Sequence, residues 1–158
     1  IMDLKSKIIL ISGPTASGKS NFSIKLAKKI NGEIINADSM QVYKELKILS
    51  ARPNIKDYQK IKHHLYGFHS VKNNFSTGDW LKIAIKKIKE VRKRNKTPIF
   101  VGGTGLYFKA LTDGLVSIPN IPITFTLNSP FTINIIKTTS WRNHSTTINK
   151  TRSIPSTN

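Results

Sequence analysis

Residues 7–20, KIILISGPTASGKS, limit what this chain can fold into more than any other stretch. Ile8, Ile9, Leu10 and Ile11 form an unbroken apolar run rich in β-branched residues, the pattern of a strand buried on both faces of a parallel sheet. The chain must then turn sharply. Gly13 and Gly18 lack Cβ, so the backbone between them can wrap an anion with its N–H groups turned inward, while the helix that follows offers the positive end of its dipole. Lys19 adds a full charge, and Ser20 puts a hydroxyl where a magnesium ion bridging two phosphates would sit. The spacing G-x-x-x-x-G-K-S after a buried strand therefore predicts a phosphate site made by Gly13, Pro14, Thr15, Ala16, Ser17, Gly18, Lys19 and Ser20.

A helix over 19–30 follows, with Phe22, Leu26 and Ile30 at fourfold spacing and Lys25, Lys28 and Lys29 opposite them. Gly32 is expected to take the left-handed cap, and 33–37 reads as a second strand. Groups at the carboxyl ends of strands in open parallel sheets face the ligand crevice, so Asp38 belongs on the same edge as the phosphate loop. There it can be a magnesium ligand, a general base, or simply the Asx turn that Asp38-Ser39 forms at many strand ends; the residues alone leave these open.

Farther on, 55–62 suggests one short helix. The adjacent His63 and His64 have no third ligand nearby and point different ways, so that rather than a metal site they read as one packing residue and one facing solvent or substrate. Ser76-x-x-Asp79 is a capping box for a helix over 78–95 whose buried stripe is Leu81, Ala84, Ile85 and Ile88. Its other faces, with Lys82, Lys86, Lys87, Lys89, Arg92, Lys93 and Arg94, suit a phosphate backbone or plain solvation. Pro98 opens a strand through Ile99, Phe100 and Val101, and residues 102–105 turn into a helix carrying Leu106, Phe108 and Leu111. That turn should meet the phosphate loop and leave a cleft lined by backbone donors, with the Thr104 hydroxyl available in it. Neither strand ends in the acid that holds magnesium in ordinary nucleotide hydrolases, which favours a phosphate site put to another use.

The chain of 158 residues has one domain's worth of core, no cysteine, and no apolar run long enough to span a bilayer, and a soluble cytoplasmic protein is expected. Its net charge of +18 attracts polyanions, nucleic acid above all, although a lysine-rich solvated surface has the same composition.

Residues 13–20 followed by Asn36-Ala37-Asp38-Ser39-Met40-Gln41-Val42-Tyr43 resemble the tRNA dimethylallyltransferase (isopentenyl-tRNA transferase) family. Ala51-Arg52-Pro53, His63-His64-Leu65, Tyr66-Gly67-Phe68 and residues 98–107, PIFVGGTGLY, resemble its later blocks, so that the resemblance covers residues 7–114. It implies a three-layer α/β fold like that of the P-loop NTPases, with a mainly parallel sheet. It also implies transfer of a dimethylallyl group from dimethylallyl diphosphate to N6 of the adenosine beside a tRNA anticodon. The diphosphate would lie in the loop, with Lys19 and Ser20, through Mg2+, stabilising the charge that grows as it departs. Asp38 would take the proton of the amine, Ser39, Met40 and Gln41 would line the pocket of a flipped base, and Thr104 would sit between tRNA and donor. The alternatives are a small kinase using ATP in the same loop and a basic RNA-binding remnant without chemistry.

The organisation expected is an α/β domain over 1–120 and a tail over 121–158. No Asp or Glu follows Asp113, and from Ile121 the chain is Ser, Thr, Asn and Ile with scattered Pro and no helical stripe. Ile123-Thr124-Phe125-Thr126-Leu127 alternates like a strand, yet no recognisable turn or cap encloses it. The tail is therefore expected to be disordered and outside the family pattern. Family members run much longer, with basic residues that help clamp the diphosphate and a helical region that grips the anticodon stem. A frame change near Pro122 or a truncated gene would account for the switch, Ile1 ahead of Met2 pointing the same way, and the chain alone is expected to be inactive.

Overall fold

A computed structural model of the chain describes residues 7–103, 105–114, 123–125 and 132–137. Parallel strands β1 (Lys7–Ser12), β2 (Gly32–Asn36), β3 (His63–His64) and β4 (Thr97–Gly102) stand in the order β3-β2-β4-β1. Alternation along β1 and β4 splits the core between two faces. Ile8, Leu10 and Phe100 pack with α2 (Thr77–Lys93) and α3 (Gly105–Gly114), whereas Ile9, Ile11, Ile99 and Val101 pack with α1 (Lys19–Ile30). Three layers result, as the sequence implies.

The helices form where expected, but their buried stripes are rotated. On α1 the buried residues are Ser23, Ile24 and Ala27, with Phe22, Leu26 and Ile30 only partly covered. On α2 they are Trp80, Ala84, Ile88 and Val91, Leu81 and Ile85 being flanking contacts. On α3, Tyr107 and Leu111 are buried and Leu106 is 60% exposed. In each case the sheet accepts the face whose residues fit closest to its surface, so Ala27 and Ala84 lie inward although larger aliphatics flank them.

Two local expectations are corrected. Asn31, not Gly32, takes the left-handed cap of α1, at φ 54° and ψ 51°. Asn tolerates that conformation, and Gly32 is needed one residue later, because a Cβ there would lie 2.5 Å from Ile99 Cδ1 across the sheet. In place of a helix over 55–62 there is one 3-10 turn, Ile55–Tyr58, capped by Asn54 and Asp57 and stopped by positive φ at Gln59 and Lys60. The capping box of α2 is present as read: Ser76 Oγ accepts the Asp79 N–H at 3.1 Å, and Asp79 Oδ2 accepts the Ser76 N–H at 3.2 Å.

The stretch beyond Ile121, for which disorder is expected, supplies two strands. β5 (Ile123–Phe125) pairs with β6 (Thr132–Lys137), and β6 runs antiparallel along the free edge of β1, with Lys7 opposite Lys137 and Ser12 opposite Thr132. The alternating β-branched run TINIIK satisfies backbone groups that β1 would otherwise leave open, and Ile133 is buried against the α1 face. The rest of the tail lies outside the described residues. Among those residues no helix is long and apolar enough to cross a membrane.

Candidate active site

β1 ends at Ser12, and residues 13–18 form the loop before α1. The loop closes through two bonds to the Pro14 carbonyl, from the Ser17 N–H at 3.4 Å and from Lys19 Nζ at 2.7 Å. Ala16 and Gly18 adopt left-handed φ of 62° and 83°. Among the described residues no side chain caps the start of α1, and its first turn holds no acid, so the positive end of the helix is left for an anion. Ser17 Oγ is buried without a hydrogen-bond partner, an arrangement a phosphate oxygen would satisfy. Ser20 is exposed on the first turn of α1, and Thr15 and Ala16 are exposed on the loop.

Asp38 stands immediately beyond β2, on a platform whose centre is Asn36, a fully buried amide. Asn36 Nδ2 donates to the carbonyls of Asp38 (3.0 Å) and Leu65 (3.1 Å), and its Oδ1 accepts the Asp38 N–H at 3.1 Å. Trp80 Nε1 donates to the Asn36 carbonyl at 3.2 Å, and the Ala37 N–H donates to Val101 O at 2.8 Å. β4 closes in on the same point: a Cβ on Gly102 would lie 2.1 Å from the Ala37 carbonyl oxygen. Only glycine fits there. A Cβ on Gly103 would stand 3.3 Å from the Gly13 carbonyl, so the glycine turn after β4 does meet the phosphate loop. Thr104, in that turn, lies outside the described residues.

The Asp38 carboxylate takes part in an Asx turn, Oδ1 accepting the Met40 N–H at 2.9 Å, and it also acts on the phosphate loop. Burial lowers the Lys19 ammonium from its ordinary titration range, and the negative charge of Asp38 offsets part of that, which ties the two residues electrostatically. Tyr107 is pushed up to about 12 by burial, with Tyr43 and Asp38 adding to the effect. Ser39 and Gln41 are half-buried and Met40 is half-exposed. Gln41 is fixed at both ends, its Nε2 donating to Ser50 O at 2.9 Å and its carbonyl accepting the Gly67 N–H at 2.8 Å. The sequence reading thus places the loop and residues 38–41 at one end of the sheet, and it misses Asn36, Gly102 and Trp80, which hold them there.

His63 and His64 are held by other partners. His63 stacks on Tyr58, ring centroids 3.8 Å apart, and His64 Nε2 lies 2.6 Å from Glu33 Oε2.

A family model described as IPP transferase matches residues 41–141. The tRNA dimethylallyltransferase of Pelagibacter ubique strain HTCC1062 is 68% identical over 124 residues, covering 78% of this chain and 40% of that protein. That of Methylocella silvestris is 53% identical over 118 residues, covering 75% and 39%. The crystal structure of a tRNA delta(2)-isopentenylpyrophosphate transferase from Staphylococcus epidermidis superposes with a TM-score of 0.63 at 45% identity, over 65% of this chain and 33% of that one. A eukaryotic dimethylallyltransferase solved acting on tRNA gives 0.62 at 37% identity, over 65% and 25%. The chain therefore spans about 40% of the length of the curated relatives it matches.

Proposed function

Since the chain belongs to the IPP transferase family, we propose that residues 7–114 hold dimethylallyl diphosphate and a tRNA adenosine for transfer of the five-carbon group to the exocyclic amine. The observation that carries the reading is the meeting of two strand ends: a loop with an uncapped helix start and Lys19, and a carboxylate locked beside it by Asn36 and Gly102.

In the proposed reaction the loop N–H groups and Lys19 grip the diphosphate and stabilise its growing charge as the C–O bond to the allylic carbon breaks. The N6 lone pair forms the new C–N bond, and Asp38 accepts the proton the amine must lose, through Oδ2, since the turn engages Oδ1. Ser39, Met40 and Gln41 flank the adenine, and Thr104 is assigned between base and donor. Magnesium suits this donor set, because it takes one or two protein oxygens beside substrate phosphates and the exposed Ser20 hydroxyl is a hard oxygen. When bound it would supply Lewis-acid neutralisation of the leaving group.

Donor identity tests the reading. Calorimetry with dimethylallyl diphosphate and with ATP should show the former binding through Lys19. In a chain extended to the relatives' full length, isotope from the allylic donor should appear on adenosine N6. Phosphoryl transfer from ATP with no prenylated product would instead make the protein a kinase.

A further inference from the structure

Next to residues 38–41 the chain exposes a surface that transfer itself leaves unused. Ile48, Leu49 and Ile55 are 92%, 82% and 83% exposed. Ile55 also lines an open surface hollow of about 430 Å³ with Lys47, Asn54, Lys56 and Asp57, all of them exposed. The sign of this surface is positive. Residues 44–62 contain six lysines and arginines against Glu45 and Asp57, and both acids are engaged. Glu45 accepts from Ser70 Oγ at 2.7 Å and from the Val71 N–H at 3.1 Å, and Asp57 Oδ2 accepts the Asn54 N–H at 2.9 Å.

This surface is bonded directly to the proposed base pocket. Gln41 Nε2 donates to Ser50 O at 2.9 Å, Arg52 Nη1 donates to Tyr43 O at 3.2 Å, and the Arg52 N–H donates to Lys47 O at 3.3 Å. An RNA strand with one base flipped in at Asp38 must continue past one side of the pocket, and the neighbouring base has lost a stacking partner. An aliphatic surface can cover the face so exposed, and two lysines can meet the phosphate that follows.

We propose that the open hollow at Lys47, Ile55 and Lys56 receives the nucleotide flanking the modified adenosine, its base against Ile55 and its phosphate against the two lysines. The proposal rests on the RNA-substrate reading above and adds a second subsite to it.

The test is the affinity of the whole chain for a fluorescein-labelled RNA hairpin with an adenosine-containing loop, measured by anisotropy over a range of KCl. Lys47→Gln with Lys56→Gln should weaken binding about tenfold and flatten the log–log salt slope by about 0.7, the share of the one phosphate the two lysines neutralise. Ile55→Ser should weaken it several-fold with the slope unchanged. All three side chains are exposed, so far-UV circular dichroism should be unaltered. Lys82→Gln with Lys86→Gln, exposed on α2, serves as control. An equal loss in the control would reduce the effect to net charge, and unchanged affinity in both patch variants would remove the subsite; either overturns the proposal while leaving the RNA reading intact. Wild-type chain that fails to bind the hairpin would overturn both. A dimer in sedimentation velocity that Ile55→Ser dissolves would give the face to a second copy and refute the RNA assignment.

Discussion

Lys19 and Asp38 sit in one electrostatic neighbourhood, yet the reaction asks different things of them. In the proposed reaction Lys19 touches the donor in ground and transition states alike, so Lys19→Ala should weaken diphosphate binding by the ~1.5–3 kcal/mol of a charge-assisted contact, read directly by calorimetry. Asp38 is proposed to act on the amine. Asp38→Ala in a chain of the relatives' full length should abolish transfer and leave donor affinity almost unchanged, whereas a matching loss of affinity would make it a metal ligand. Gly102→Ala separates position from chemistry: its Cβ would collide with the Ala37 carbonyl and push the backbone that carries Asp38, so transfer should fall with every proposed chemical group still present. The loop was legible because its meaning lies in contiguous spacing. Asp38 was legible as a strand-end carboxylate, with magnesium ligand, base and Asx turn left open, and the structure shows the turn. Asn36 and Gly102 were not legible, because their roles come from atoms brought together across strands, as with Asn36 and Leu65, 29 residues apart.

At the scale of elements, the ends of α2 and β3 are tied to β2 by a buried carboxylate. Arg94 meets Glu33 with two hydrogen bonds, Nε to Oε1 at 3.0 Å and Nη2 to Oε2 at 2.7 Å, and His64 adds a third contact. The list of basic residues on α2 gave no sign that its last arginine leaves the solvated set, because the partner lies 61 residues upstream. Burial raises the Glu33 carboxyl, and the bonds and charges of Arg94 and His64 more than offset it, so it titrates below its ordinary 4.5. A depressed folded pKa adds stability that is complete above the unfolded value and is lost as pH falls through the folded one. Arg94→Ala should therefore destabilise the fold by roughly 2 kcal/mol at neutral pH, since buried Glu33 keeps only its His64 contact and the guanidinium lost is itself partly exposed. The deficit in Tm against wild type should shrink as pH falls below 4.5, and a deficit that stays constant into acid would show that the loss is packing and not charge. Trp80 joins α2 to the sheet and to α3: it is fully buried, stacks on Tyr107 at 4.2 Å between ring centroids, and bonds Asn36 O. The stripe read from aliphatic spacing passed over it because a tryptophan at the start of a helix can be an exposed aromatic as easily as the keystone it is here.

For the molecule as a whole, the central question is whether one phosphate loop and one carboxylate suffice for turnover. Prenyl transfer to an amine requires the departing diphosphate to be stabilised from several sides and water to be kept from a reactive allylic carbon. In the proposed complex the loop would approach the donor from one side, and its own cation is Lys19 alone. Among the described residues after Ile121, neither strand places a lysine or arginine position beside the loop. β6 lies along the outer edge of β1, and its lysine, Lys137, is in register with Lys7 at the end of β1 remote from the loop. The five residue steps of strand from Lys7 to Ser12 separate it from the loop end by about 17 Å at ~3.3 Å per residue. What β6 adds is cover for the sheet edge, hence stability. The expected outcome is that the purified chain binds dimethylallyl diphosphate and RNA but yields no prenylated adenosine over many equivalents of substrate, because binding energy without transition-state contacts gives no rate. Mass spectrometry of tRNA nucleosides after incubation with Mg2+ and donor measures it. More product than enzyme would mean that residues beyond the loop close the site, and the one-sided clamp argued from Lys19 and Lys137 would be wrong.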